Sequence, residues 1–192
     1  MSSQPIKTDL PWETLASERI FENPWFALRQ DQVRTHTGAE ITYTFMQHPG
    51  VVAVVPVTAD GQIVLIRQYR HTVKDWCWEI PMGGRDEDNS EQVARKEVFE
   101  EAGGTCRDLK YIAAFYAING VGNIRCEVYL ATGVELGASQ PEAGELIEIA
   151  IETKDEVMRM ARAGEITCGM SALALFLCEH HFADQRPVTG DR

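Results

Sequence analysis

The sequence predicts an α+β protein, and three observations predict it. Val51 to Val57 is a continuous, mostly β-branched run, the pattern of a strand buried on both faces. Trp78 to Gly104 reads as a strand end, a Gly-rich turn and one amphipathic helix, with Ala94, Val98 and Ala102 at four-residue spacing. Strand patterns over residues 109–117, 125–132 and 146–151 follow that helix and give way to two C-terminal helices.

Taken in order, residues 1 to about 17 are polar, contain Pro5 and Pro11, and read as a loose arm. Residues 25–33 and 41–45 are strand-like and are separated by Thr37-Gly38-Ala39, a hairpin signal. A hairpin this small lacks a core of its own, so the main domain or a second subunit must cover it. Pro49-Gly50 punctuates the chain, Asp60-Gly61 is a tight turn, and residues 63–66 pair with 51–57 as a central hairpin. Asn119-Gly120-Val121-Gly122-Asn123 and residues 135–144 are loops. Thr153, with Glu156 three residues on, has the spacing of a helix N-terminus, and that helix stops at Gly164. Residues 168–182 form the last helix, with His180 and His181 at its C-terminal end, where cations are favoured. The expected organisation is an arm and hairpin over 1–48, a main domain over 49–184 and a flexible tail over 185–192.

At 192 residues, 44% hydrophobic and 24% charged, the composition is that of an ordinary globular chain. A formal charge of −11 argues against nucleic acid and anionic membrane as partners, so an anionic substrate needs a local basic patch or a metal. No apolar run approaches the roughly 20 residues of a membrane span, and the first residues lack the apolar core of a secretory signal. Cys77, Cys106, Cys126, Cys168 and Cys178 are odd in number and lack C-x-x-C spacing. They read as reduced, mostly buried thiols of a cytoplasmic protein.

The chemistry concentrates on the acidic helix. Glu97, Glu100 and Glu101 lie three and four residues apart, one turn of helix, and share a face. Like charges at that spacing repel by a few tenths of a kcal/mol, roughly, in an isolated helix. A hard divalent cation converts the repulsion into ligation; a solvated acidic surface is the other reading. Arg67-Gln68-Tyr69-Arg70 ends one strand directly before Trp76-Cys77-Trp78-Glu79. Arginine forks suit phosphate oxygens and aromatic faces suit bases, while edge-strand solubility and core tryptophans account for the same residues equally well.

Lys96-Glu97-Val98-Phe99-Glu100-Glu101-Ala102-Gly103 resembles the second half of the Nudix hydrolase signature. That signature is Gly, five residues, Glu, seven residues, then Arg-Glu-hydrophobic-any-Glu-Glu-any-Gly-hydrophobic. Counted back from Glu97, its first Glu falls on Asp88 and Gly83 stands one residue too close, so the turn is one residue short. Lys96 replaces the usual Arg and Gly104 the usual hydrophobe. The resemblance extends over roughly 25–182 and is strongest to the ADP-ribose and nucleoside-diphosphate-sugar pyrophosphatase branch, through 51–57, 63–70, 78–83, 145–148 and 164–166.

The resemblance implies a Nudix fold, an α/β/α sandwich with a mixed, curved sheet between helices, and hydrolysis of a pyrophosphate joining a nucleoside to another group. It implies Mg²⁺ or Mn²⁺ held chiefly by Glu97 and Glu101, with Glu100 assisting and the Met82 backbone carbonyl as a further ligand. It places Glu145 as the base for the attacking water, with Glu142 second. Arg67 and Arg70 become candidates for the diphosphate, and Glu79 for a nucleoside contact. Asp88 and Lys96 could pair to steady the turn. The N-terminal hairpin implies a homodimer whose cleft both chains build. The alternatives are a GDP-mannose or nucleoside triphosphate hydrolase, or a nucleotide-binding module that has lost turnover.

Overall fold

The computed structural model describes residues 11–85, 89–137 and 146–184. The chain divides into two compact units, Met1–His48 with Ile118–Ile124, and Pro49–Ala117 with Arg125–Arg192.

The first unit is a three-stranded antiparallel sheet in the order β1(Glu13–Glu22), β2(Ala27–Arg34), β3(Glu40–Gln47). The hairpin of β2 and β3 turns at Gly38, as the sequence predicts. β1 is a correction, because residues 13–17 belong to a strand and not to a loose arm. Its partner is β2, from Glu13 opposite Arg34 to Glu22 opposite Ala27, with two irregularities in the register. Within this unit Met46 bridges Gly122, and the His48 N–H donates to Asn123 Oδ1 at 2.8 Å.

The second unit holds a seven-stranded mixed sheet. Its strands are β4(Val51–Thr58), β5(Ile63–Arg70), β6(Asp75–Glu79), β7(Met82–Gly84), β8(Gly104–Tyr116), β9(Arg125–Leu136) and β10(Ile147–Glu152). The path runs β10-β5-β4-β9-β8, and among the described residues of this sheet only the β4 to β9 pairing is parallel. Helix α1(Ser90–Glu100) covers one face; α2(Lys154–Ala163) and α3(Gly169–Cys178) cover the other. The alternation of β4 follows from this layering. Val52 and Val54 pack with Val93, Ala94 and Val98 of α1, whereas Val55 and Val57 pack with Val157, Ala174 and Leu175. Full burial of each such valine contributes about 1.5–3 kcal/mol.

β4 and β5 are less of a hairpin than the sequence predicts. They meet at Val57 and Ile63 and then part. β6 takes up the free side of β5 and β7 that of β4, so the two strands fork around a wedge. Ile80-Pro81 crosses the wedge. The Ile80 side chain is fully buried, its N–H donates to the buried Ser171 hydroxyl at 3.2 Å, and the Pro81 carbonyl accepts from Val54 N–H at 2.9 Å.

The helices start and stop as their residues dictate. Asn89 caps α1 by accepting from Glu91 N–H at 3.0 Å. Thr153 caps α2 by accepting from Glu156 N–H at 3.2 Å, and Gly164 ends it at φ 75°. The Glu156 carboxylate pairs with Arg159 at 2.7 Å. α3 is shorter than predicted: it gives way at Glu179 to a 3-10 helix, Glu179–Asp184, that carries His180 and His181.

Candidate active site

The site is built where β7 runs beneath the C-terminal half of α1. Glu97 and Glu101 are one helical turn apart and both face β7, with residue exposures of 8% and 3%. The Glu101 carboxylate accepts from the Met82 backbone N–H at 2.8 Å. The Glu97 carboxylate lies directly on Gly83, where a Cβ would stand 2.1 Å from Oε1 and 2.3 Å from Cδ. Any side chain at this point would push the Glu97 carboxylate aside. Glu100 is less enclosed, and Lys96 Nζ lies 3.4 Å from its carboxylate.

A cavity of about 660 Å³ opens beside this strand. Met82, Arg70, Glu79 and Cys77 line it from the sheet, and Cys168 and Met170 from the start of α3. Arg70 grips Glu79 with both arms of a fork, Nε to Oε1 at 2.8 Å and Nη2 to Oε2 at 2.6 Å. The Glu79 hydrogen bond raises the Arg70 guanidinium above its ordinary pKa despite partial burial, and the nearby Glu101 charge adds to the rise.

Arg67 and Arg70 part company in the structure. They are three residues apart on one strand, an odd separation, so they project to opposite faces. Arg70 lines the cavity, whereas the Arg67 guanidinium lies 5.6 Å from the ring centres of both Trp76 and Trp78. Glu148 lies 3.8 Å from it. Glu145, Glu142 and Asp88 lie outside the described residues.

Sequence reasoning missed Thr167, Cys168 and Met170 as cavity residues, and Ser171 as the partner of Ile80. No motif marks them; they arrive because the start of α3 packs across the wedge. It also missed Glu127, a buried carboxylate on β9. Alternation with Cys126 and Val128 gives Glu127 the look of a solvent-facing residue, but α1 covers that face. Burial pushes the Cys126 thiol up to about 12, with the Cys168 and Glu127 charges adding.

The chain is similar to known proteins over most of its length. Residues 46–166 match the NUDIX domain, and residues 12–46 match the nucleoside diphosphate sugar hydrolase N-terminal domain. An ADP-ribose pyrophosphatase of Mycobacterium tuberculosis is 33% identical, across 92% of this chain and 89% of that protein. An ADP-ribose pyrophosphatase of Bacillus subtilis is 28% identical, across 85% and 90%. A methanol dehydrogenase activator of Bacillus methanolicus is 27% identical, across 85% and 90%. The fold matches a crystal structure of an ADP compounds hydrolase with a TM-score of 0.80 at 17% identity, covering 95% of this chain and all of that one. With a fold of this kind, paired buried glutamates on the signature helix and a domain match across most of its length, the chain belongs to the Nudix hydrolase family.

Proposed function

We propose that the protein hydrolyses the pyrophosphate bond of a nucleoside diphosphate joined to a second group, ADP-ribose or a nucleotide sugar, with Mg²⁺ or Mn²⁺ as cofactor. The observation that carries this reading is the burial of Glu97 and Glu101 against Met82 and Gly83, beside a cavity that Arg70 lines. The substrate class draws support from the two relatives named ADP-ribose pyrophosphatase and from the N-terminal domain match.

The residues fit a hard divalent ion. Mg²⁺ takes one or two carboxylates, keeps several waters and reaches substrate phosphates. Among the described residues no group of three or more His, Cys, Asp or Glu side chains is gathered so as to hold a metal ion. Glu97, Glu101 and the Met82 carbonyl oxygen would hold the ion, and the less enclosed Glu100 would assist. When bound, the ion neutralises phosphoryl charge and acidifies a water. Arg70 has Nε and Nη2 committed to Glu79, which leaves Nη1 and its two N–H donors for a phosphate oxygen in the cavity that Arg70 lines. Glu79 thereby orients the arginine. Glu145 is the base that takes the proton of the attacking water, with Glu142 the alternative. Arg67, with its guanidinium 5.6 Å from both tryptophan ring centres, belongs to the far face of β5.

A homodimer is part of the proposal. β1 is exposed along its whole length and presents Leu15, Ile20 and Phe21, a surface that favours a second copy. Five free cysteines favour the cytoplasm; among the described residues no helix is long and apolar enough to cross a membrane.

The test is product release from a panel of ADP-ribose, ADP-sugars, GDP-mannose and nucleoside triphosphates with Mg²⁺ or Mn²⁺. Turnover of ADP-ribose or an ADP-sugar is expected, with Glu101→Gln lowering it by about 10²-fold or more. Turnover of GDP-mannose or a triphosphate alone would move the substrate class. Tight binding of one nucleotide without turnover of any would make the protein a binding module. Light scattering on a size-exclusion column reads the dimer, and Phe21→Glu is expected to shift it towards monomer.

A further inference from the structure

Both ends of the turn that joins β7 to α1 are tied to one buried carboxylate. Glu127 is 7% exposed on β9, opposite Val52 across the parallel ladder. Arg85 follows β7 directly, and its Nη1 lies 3.4 Å from Glu127 Oε1. Ser90, the first residue of α1, is buried, and its hydroxyl helps to hold the same carboxyl below its ordinary pKa. Arg125 also contacts Oε1. Gly50 closes the cluster from below. Its carbonyl accepts the Arg85 N–H at 2.9 Å, and at φ +121° a side chain there would also stand 3.0 Å from the Arg125 carbonyl.

A carboxylate this deep is destabilising unless it is paired and hydrogen-bonded. Two guanidiniums and a hydroxyl supply the pairing. What gives the cluster a function is where its partners sit. Met82 and Gly83 lie just before Arg85, while Glu97 lies two helical turns beyond Ser90 on the same helix as Glu101. Whatever fixes Arg85 and Ser90 fixes the distance between the β7 backbone and the helix glutamates. The turn is one residue shorter than the signature it resembles, and on the helix Lys96 lies 3.4 Å from Glu100. Anchoring from β9 stiffens that junction from outside.

We propose that Glu127 is a positioning residue, a staple from β9 that holds the start of α1 against β7 and so sets the spacing of Glu97 and Glu101 from the Met82 carbonyl. It touches neither substrate nor metal. The inference rests on Glu97 and Glu101 being the metal ligands.

Glu127→Gln and Ser90→Ala test it. Ser90→Ala removes one tether and leaves the charges balanced, so it remains informative if Glu127→Gln fails to fold. Mn²⁺ binding to the protein without substrate is measured by electron paramagnetic resonance, beside urea unfolding and steady-state kinetics. Glu127→Gln is expected to weaken Mn²⁺ binding on the order of 10-fold. It should lower kcat while leaving KM for the nucleotide nearly unchanged, and Ser90→Ala should shift both quantities in the same direction by less. Variants that fold and bind Mn²⁺ like the wild type overturn the inference. So does a loss of stability with unchanged Mn²⁺ affinity in the folded protein. A wild-type protein that binds no Mn²⁺ overturns the metal reading itself, and this inference with it.

Discussion

Gly83→Ala separates activity from stability. The new methyl group would start 2.1 Å from Glu97 Oε1, 2.3 Å from Cδ and 2.8 Å from Oε2. Those atoms form the far end of a flexible side chain, so Glu97 gives way before the backbone does. Ordinary contact begins at 3.4 Å, so the carboxylate must withdraw by more than about 1 Å, and a displacement of about 1 Å at a reacting centre already costs about 10²-fold in rate. That is about 2.7 kcal/mol of transition-state stabilisation. On the stability side, an off-rotamer glutamate costs roughly 0.5–1.5 kcal/mol. The alanine returns roughly 0.4–1 kcal/mol by restricting the unfolded chain. The net change in unfolding free energy is therefore expected within about 1 kcal/mol. Urea unfolding and ADP-ribose hydrolysis on the same preparation check both numbers. Wild-type turnover in Gly83→Ala, or a rate loss matched by an equal loss of stability, would refute the argument that Glu97 is held in place by the missing side chain.

Arg70→Met leaves the Glu79 side chain, 4% exposed, without its fork, but Arg70 is itself 39% exposed. The destabilisation in urea should fall between that of a buried and a surface pair, about 2 kcal/mol. Burial raises the Glu127 carboxyl, but Ser90, Arg125 and Arg85 outweigh it and hold its pKa below the ordinary 4.5. The unfolded chain then takes up that proton at higher pH than the folded one. The stabilisation is present above 4.5 and lost as pH falls through the folded value. Urea midpoints of wild type and Glu127→Gln should therefore converge as the pH falls below 4.5. Burial pushes the thiols of Cys126 and Cys178 up to about 12. Both should stay unmodified by a disulfide reagent in the native protein at mildly alkaline pH and react on unfolding, while the half-buried Cys168 reacts natively.

Local pattern carried much of the fold. The run from Val51 to Val57 announces a strand covered on both sides, and Ala94, Val98 and Ala102 announce the packed stripe of α1. Thr153 and Gly164 mark α2 because caps are local chemistry. What the sequence hid was long-range. β1 reads as polar arm because it has no buried face and exists through pairing with β2. The fork between β4 and β5 is invisible in either strand alone, since β6 and β7 create it. Within the candidate site the helix glutamates were legible from their spacing. Grouping Arg67 with Arg70 overlooked the two-residue period that sends them to opposite faces. Glu127 could not be found by alternation, because burial of its face depends on α1.

The one parallel ladder has a consequence for how the molecule comes into being. Val51 pairs with Cys126, and β7 and the helix that carries Glu97 and Glu101 are threaded between them. A ribosome must finish β9 before β4 gains its central neighbour, so the newborn acidic helix waits without Tyr129, Ala131 and Val134, the β9 part of the floor it will rest on. Joining such distant segments is slow, and refolding is expected to lag behind that of a domain this size built from neighbouring hairpins.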